Sequence, residues 1–183
     1  IRKQGQDTLV LNGNNTFTGT NQIEQGKLVL NGTNRAASHI GVNGVLAVGD
    51  AQNISSSSIT NNGKLEANTK SDLVINGNLT QNAGSTLEKA IGSKVDVKGK
   101  ASIDGSHLVV SGVAQGYTTQ AGKTETLLQA QQVEGQFAST QVAKISDLIS
   151  GSVQTTATQV NVKTQRATVG SVALPQSAYV GKD

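Results

Sequence analysis

The chain has 183 residues, a formal net charge of +3, one proline and no cysteine, so disulfide frameworks and thiolate metal sites are excluded. Only four residues are aromatic (Phe17, Tyr117, Phe137 and Tyr179), too few to fill an ordinary compact interior, which must use Val, Leu, Ile and Ala instead. Charge of both signs is thinly spread with no basic block, which leaves nucleic-acid binding without an electrostatic footing, and no apolar run reaches the roughly 18 residues of a membrane-spanning helix.

The opening IRKQGQDT lacks an apolar signal core and reads as the cut edge of a longer chain. LVLNG follows at Leu9–Gly13, returns at Leu28–Gly32, and recurs as LVING at Leu73–Gly77. A glycine leads each time to a leucine: Gly5 to Leu9, Gly26 to Leu28, Gly44 to Leu46, Gly63 to Leu65, Gly84 to Leu87 and Gly105 to Leu108. The leucines step by 19, 18, 19, 22 and 21 residues. An apolar residue precedes most of these glycines: Ile23, Val42, Ile59, Leu79 and Ile103. Asn-Gly turn signals punctuate the ladder at Asn12, Asn31, Asn43, Asn62 and Asn76.

Self-similarity at a fixed period near 20 residues indicates a solenoid. Helical repeats are ruled out before Gly122 by the density of Gly, Asn, Thr and Ser. Short apolar runs and alternating stretches such as VDVKG are strand signals. The expected fold is all-β, a right-handed parallel β-helix of about six rungs, with equivalent residues stacked at roughly 4.8 Å and six leucine levels spanning roughly 25 Å. Leu28, Leu46, Leu65, Leu87 and Leu108 are the expected core column. Asn and Thr are expected to form ladders between rungs, and glycine to occupy corners with positive φ.

The repeat fades after Val110. TETLLQA reads as a strand, Val133–Phe137 as a turn, AKISDLIS as a short helix or strand, and Ser152–Gln165 as a strand with Val160 and Val162 on one face. The expected division is a stalk over 1–110, a non-repeating β-rich cap over 111–165 that protects the open end, and a tail or linker over 166–183. Leu127, Leu128 and Phe137 are the expected cap packing.

GNNTFTGTNQIEQGKLVLNG resembles the passenger-associated repeat of bacterial autotransporters. NGNLTQNAGSTLE, KVDVKGKASIDGSHLVVSG and YTTQAGKTETLLQAQQVEGQF, in that order, resemble the C-terminal passenger stretch of that family, most of all the subtilisin-like serine-protease autotransporters. The likeness covers roughly residues 9–165. It implies a secreted or surface-displayed stalk on the outer membrane of a Gram-negative bacterium, with an autochaperone-like C-terminal region. The implied partners are a catalytic or effector domain upstream in the same chain and an outer-membrane β-barrel translocator downstream, along with self-association or host-surface contact. The Asp, His and Ser contexts of a subtilisin-type site are missing from these residues, so no catalytic residue carries over.

Three stretches invite chemical readings. DGSH at Asp104–His107 places Asp and Ser on one strand face and His on the other, which precludes a relay. His39 has no nearby acidic or second histidine partner for a metal. GYTTQAGKT at Gly116–Thr124 has five residues, not four, before its Gly-Lys pair, and no helix follows. The seven aspartates are dispersed, without the Gly-Gly-x-Gly-x-Asp runs of calcium-binding repeats. Catalytic, cofactor-binding and metal-ligating residues are therefore expected to be none, and no cofactor is called for. The expected role is structural. Adhesion through glycan-binding or self-associating ladders is the alternative, and a polysaccharide-degrading enzyme is disfavoured by scattered carboxylates and few aromatics.

Overall fold

A computed structural model describes residues 1–167. Among them there is no helix; eighteen strands follow one another. The first four are β1 (Arg2–Lys3), β2 (Thr8–Asn15) and two long strands, β3 (Asn21–Asn34) and β4 (Ser38–Val48). Short strands then succeed each other as β5 (Ile54–Ser56), β6 (Ile59–Asn61), β7 (Lys64–Ala67), β8 (Leu73–Ile75) and β9 (Leu79–Gln81). The pattern repeats through β10 (Thr86–Ile91), β11 (Val95–Val97), β12 (Lys100–Ser102) and β13 (His107–Val113). The last are β14 (Thr124–Gln129), β15 (Gln132–Glu134), β16 (Ser139–Val142), β17 (Ile149–Thr155) and β18 (Gln159–Arg166).

Parallel pairing between elements one turn apart coils these strands into three faces of a parallel β-helix. The leucine face runs from β2 through the second halves of β3 and β4 to β7, β10, β13 and β16. Its central column is Leu9, Leu28, Leu46, Leu65, Leu87, Leu108 and then Thr140, each in register with the next. A second face stacks Ile54, Leu73, Val95 and Leu128. The third stacks Ile59, Leu79, Ala101 and Val133.

Alternation along each short strand sends every second residue inward, so Leu28 through Leu108 are buried along one side of a thin aliphatic core. Burying a leucine contributes about 1.5–3 kcal/mol, and the column supplies it level after level. Leu9, at the first described level, is 41% exposed.

Val42, the apolar residue before Gly44, is 75% exposed, and it is Ile40 that pairs with Ile23. Ile23 and Gly26 are separated by two residues, Ile40 and Gly44 by three, and the register shifts there. The extra residue bulges outward and carries Val42 with it. Positive φ holds at four of the six corner glycines, Gly5, Gly26, Gly84 and Gly105. Gly26 has φ +73°, but Gly44 and Gly63 are not in the left-handed region. What their level demands is room: a Cβ on Gly44 would meet the Ile23 carbonyl, and one on Gly63 the carbonyls of Gly41 and Gly44.

Parallel register continues beyond Val110: β14, β15 and β16 stack on β11, β12 and β13. The direction then reverses. β18 pairs antiparallel with β14 on one side and with β17 on the other. Val160 lies opposite Leu128 and Val162 opposite Glu125, both valines fully buried in the same core as the rungs. AKISDLIS is mostly a turn closed by a Lys144–Asp147 ion pair of 2.5 Å, with the strand beginning at Ile149. Most of the expected tail, from residue 168, lies outside the described residues.

Candidate functional site

The outer surface is organised by ladders between equivalent turns. Asn31 Nδ2 donates to Asn12 Oδ1 at 2.8 Å, and Thr33 Oγ1 to Asn14 Oδ1 at 2.7 Å. Further along, Asn82 Nδ2 donates to Asn62 Oδ1 at 2.8 Å, Asn62 Nδ2 lies 3.2 Å from His39 Nε2, and Asn68 Nδ2 donates to Glu88 Oε2 at 2.6 Å. A charged ladder crosses the leucine face: Lys27–Glu66 at 3.0 Å, Glu66–Lys64 at 3.7 Å and Lys64–Glu88 at 3.6 Å. Ala47 is the level between Val29 and Glu66, and its short side chain leaves Lys27 a path across two turns. A polar groove of about 310 Å³ opens beside the first turns, lined among others by Asn14, Thr33, Arg35, Ser55 and Asn76.

DGSH is a corner rather than strand, so the alternation expected of it does not apply. Ser106 N bonds Ile103 O at 3.0 Å, and the fully buried Ser106 Oγ donates to the same carbonyl at 2.6 Å. Asp104 points outward and accepts from Gln136 N at 3.1 Å. His107 Nδ1 sits 2.6 Å from Ser139 Oγ on the next turn. Asp104 and His107 thus join this turn to the next, while Ser106 closes the corner on itself. Among the described residues, no three His, Asp or Glu side chains converge as metal ligands.

In GYTTQAGKT the polar groups serve a clasp. Glu125, 7% exposed at the start of β14, accepts from Tyr117 Oη at 2.8 Å and Thr119 Oγ1 at 2.6 Å. Lys123 Nζ donates to Tyr117 Oη at 3.2 Å and lies 3.6 Å from the Glu125 carboxylate. The hydrogen bond to Tyr117, with Glu125 beside it, raises the Lys123 amine above its ordinary value. The Tyr117 ring packs over Gly92, where an added Cβ would come within 2.9 Å of it. Of the expected cap residues, Leu127 and Leu128 are fully buried, and Phe137 is half-buried against the core.

Two features were not read from the sequence. Lys89 is fully buried in the column position between Ala67 and Val110. Asn61 and Gln81 are buried too, with Asn61 Nδ2 donating to Gln81 Oε1 at 2.9 Å. An inward parity was readable for each from its neighbours, Leu87 for Lys89 and Ile59 and Leu79 for Asn61 and Gln81.

Comparison with known proteins agrees with this architecture. Residues 1–30 match the passenger-associated-transport-repeat family. Over 138 residues, 72% of this chain, the sequence is 30% identical to the Neisserial autotransporter lipoprotein NalP of Neisseria meningitidis serogroup B, and equally so to NalP of a second serogroup B strain. The chain spans 13% of the length of these relatives. Repeat match, sequence identity and stacked parallel coil together liken the chain to a β-helical segment of an autotransporter passenger, secreted or displayed at the cell surface.

Proposed function

We propose that this segment is the structural stalk of its passenger, and that residues 111–165 form a folding template that supports export across the outer membrane. The observation that carries this reading is the shared core: Val160 and Val162 of the antiparallel hairpin pack with Leu128 and the rung leucines as one cluster. A cap that closes on itself and offers β14, β15 and β16 as ready-made edges gives each emerging rung a partner. Ladder hydrogen bonds and apolar burial then draw the chain outward, one level at a time. On the same reading, a β-barrel translocator follows in the parent chain, and an upstream effector domain, a subtilisin-like serine protease, precedes the stalk. The flanking sequence tests that parentage directly.

Phe137→Ala should slow refolding and export far more than Lys64→Ala, because Phe137 packs the template while Lys64 is a partly exposed charge of the surface ladder. Equal refolding rates and equal export for the two would refute the template role.

A second reading, adhesion, is favoured by the polar groove at Asn14, Thr33 and Arg35. Glycan-array binding or concentration-dependent sedimentation supports it; a monomer that binds no glycan argues against it.

A further inference from the structure

Lys89 occupies a level of the coil where its register neighbours are Ala67 below and Val110 above. Its side chain is fully buried. Nζ donates to Ala90 O at 2.8 Å and to Ser93 Oγ at 2.7 Å, and Ser93 Oγ in turn donates to Thr69 O at 2.7 Å on the preceding turn. Both acceptors belong to the corner that Lys89 itself leads into. An ammonium group has three N–H donors, so the charged form keeps one without a partner in an aliphatic column. The β10–β13 register shifts between Lys89 and Ile91, which gives this corner slack that a strictly paired strand lacks.

We infer that Lys89 is a proton-operated weak level in the stalk: neutral, it lets the coil close as one aliphatic column through β7, β10 and β13, and charged, it loosens the Ala90–Ser93 corner from the turns on either side. The charged groups around it do not hold the ammonium in place. Lys64 and Glu66 of β7 and Glu88 of β10 face outward in the surface ladder. His107 of β13 is bonded to Ser139, and Glu125 of β14 is held by Tyr117 and Thr119. Lys70 and Lys94 in the flanking turns carry like charge. Among the described residues, Asp72 is the group that favours the ammonium, and burial outweighs it, lowering the amine to about 7.

An unfolded lysine holds its proton to about pH 10.4, so between roughly pH 7 and 10 the unfolded chain binds more protons than the folded one. Stability therefore rises with pH across that window. Below it both states are protonated, and the contribution is constant and unfavourable.

The test is the pH dependence of urea unfolding for the 183-residue chain, for Lys89→Met, and for Lys94→Met as the control at a partly exposed lysine. Between about pH 7.5 and 9.5 the wild-type folding equilibrium should strengthen about tenfold per pH unit relative to Lys89→Met, the slope of one proton. Lys94→Met should follow the wild type. NMR of the ¹³Cε-labelled lysines in the folded wild type gives an independent reading, with the Lys89 signal titrating near neutrality. Parallel unfolding profiles for wild type and Lys89→Met, or a Lys89 signal that titrates with the other lysines, would overturn the inference.

Discussion

Leu87 stacks in register on Leu65, and the next level in the same column is Leu108. All three are fully buried, with the spacing between them fixed by strand pairing. Truncating any one leaves a void that its neighbours, clamped by ladder hydrogen bonds, cannot collapse to fill. Leu87→Ala should therefore destabilise the coil by about 2–5 kcal/mol. Val42→Ala, on the outward bulge, should stay within about 0.5 kcal/mol of wild type. Urea midpoints at constant slope measure both.

Inside the coil, Asn61 is a small hub. Nδ2 donates to Gln81 Oε1 and to Thr86 O, each at 2.9 Å, while Oδ1 accepts from Gly63 N at 2.9 Å. Replacing Asn61 by Ala strands three polar groups in or beside the core, and an unsatisfied buried group costs about 1–3 kcal/mol. Its outward counterpart Asn82, in the pair with Asn62, has solvent to replace the lost bond. Asn61→Ala should thus lower stability by a few kcal/mol, and Asn82→Ala by about 1 kcal/mol or less. Thermal unfolding of the two variants side by side distinguishes them.

The leucine column was legible in the sequence because its period scarcely varies until Leu108, and each step is one turn of the coil. The exposure of Val42 was not legible because that period is not rigid; one inserted residue between Ile40 and Gly44 turns a side chain to solvent where Ile23 and Ile59 of the neighbouring turns point into the core. Beyond Val110 the signal fades although parallel pairing goes on. Leu108 meets its partner only after the Tyr117 loop has been inserted, and that partner is Thr140 rather than a leucine. The buried polar residues were hidden for another reason. Asn61, Gln81 and Lys89 look like surface residues by type, and only inward parity beside Ile59, Leu79 and Leu87 marks them as internal.

The Tyr117–Glu125 clasp fastens the loop before β14 to the coil. A hydrogen bond to a buried carboxylate contributes about 1.5–3 kcal/mol, so Tyr117→Phe should reduce stability by that order while leaving the ring on Gly92. Limited proteolysis should cut the variant faster between Gly116 and Lys123 than elsewhere. Cleavage that is equally slow in both proteins would contradict a fastening role for this bond.

Gly63 and Gly84 should respond to alanine for opposite reasons. At Gly84 φ is +86°, and an added Cβ would meet nothing within 4 Å, so the penalty is conformational and on the order of 1 kcal/mol. At Gly63 the backbone suits any residue, but the Cβ would press on the carbonyls of Gly41 and Gly44 one turn away. Those carbonyls are backbone and cannot swing aside without moving the β4 turn from β7, so the penalty is steric and falls on rung-to-rung spacing. Gly63→Ala should therefore destabilise more than Gly84→Ala. Amide hydrogen exchange locates the difference: accelerated exchange should concentrate in β4 and β7 for Gly63→Ala, and around Asn82–Thr86 for Gly84→Ala. Exchange patterns that are the same in both variants would show that close approach is not what position 63 requires.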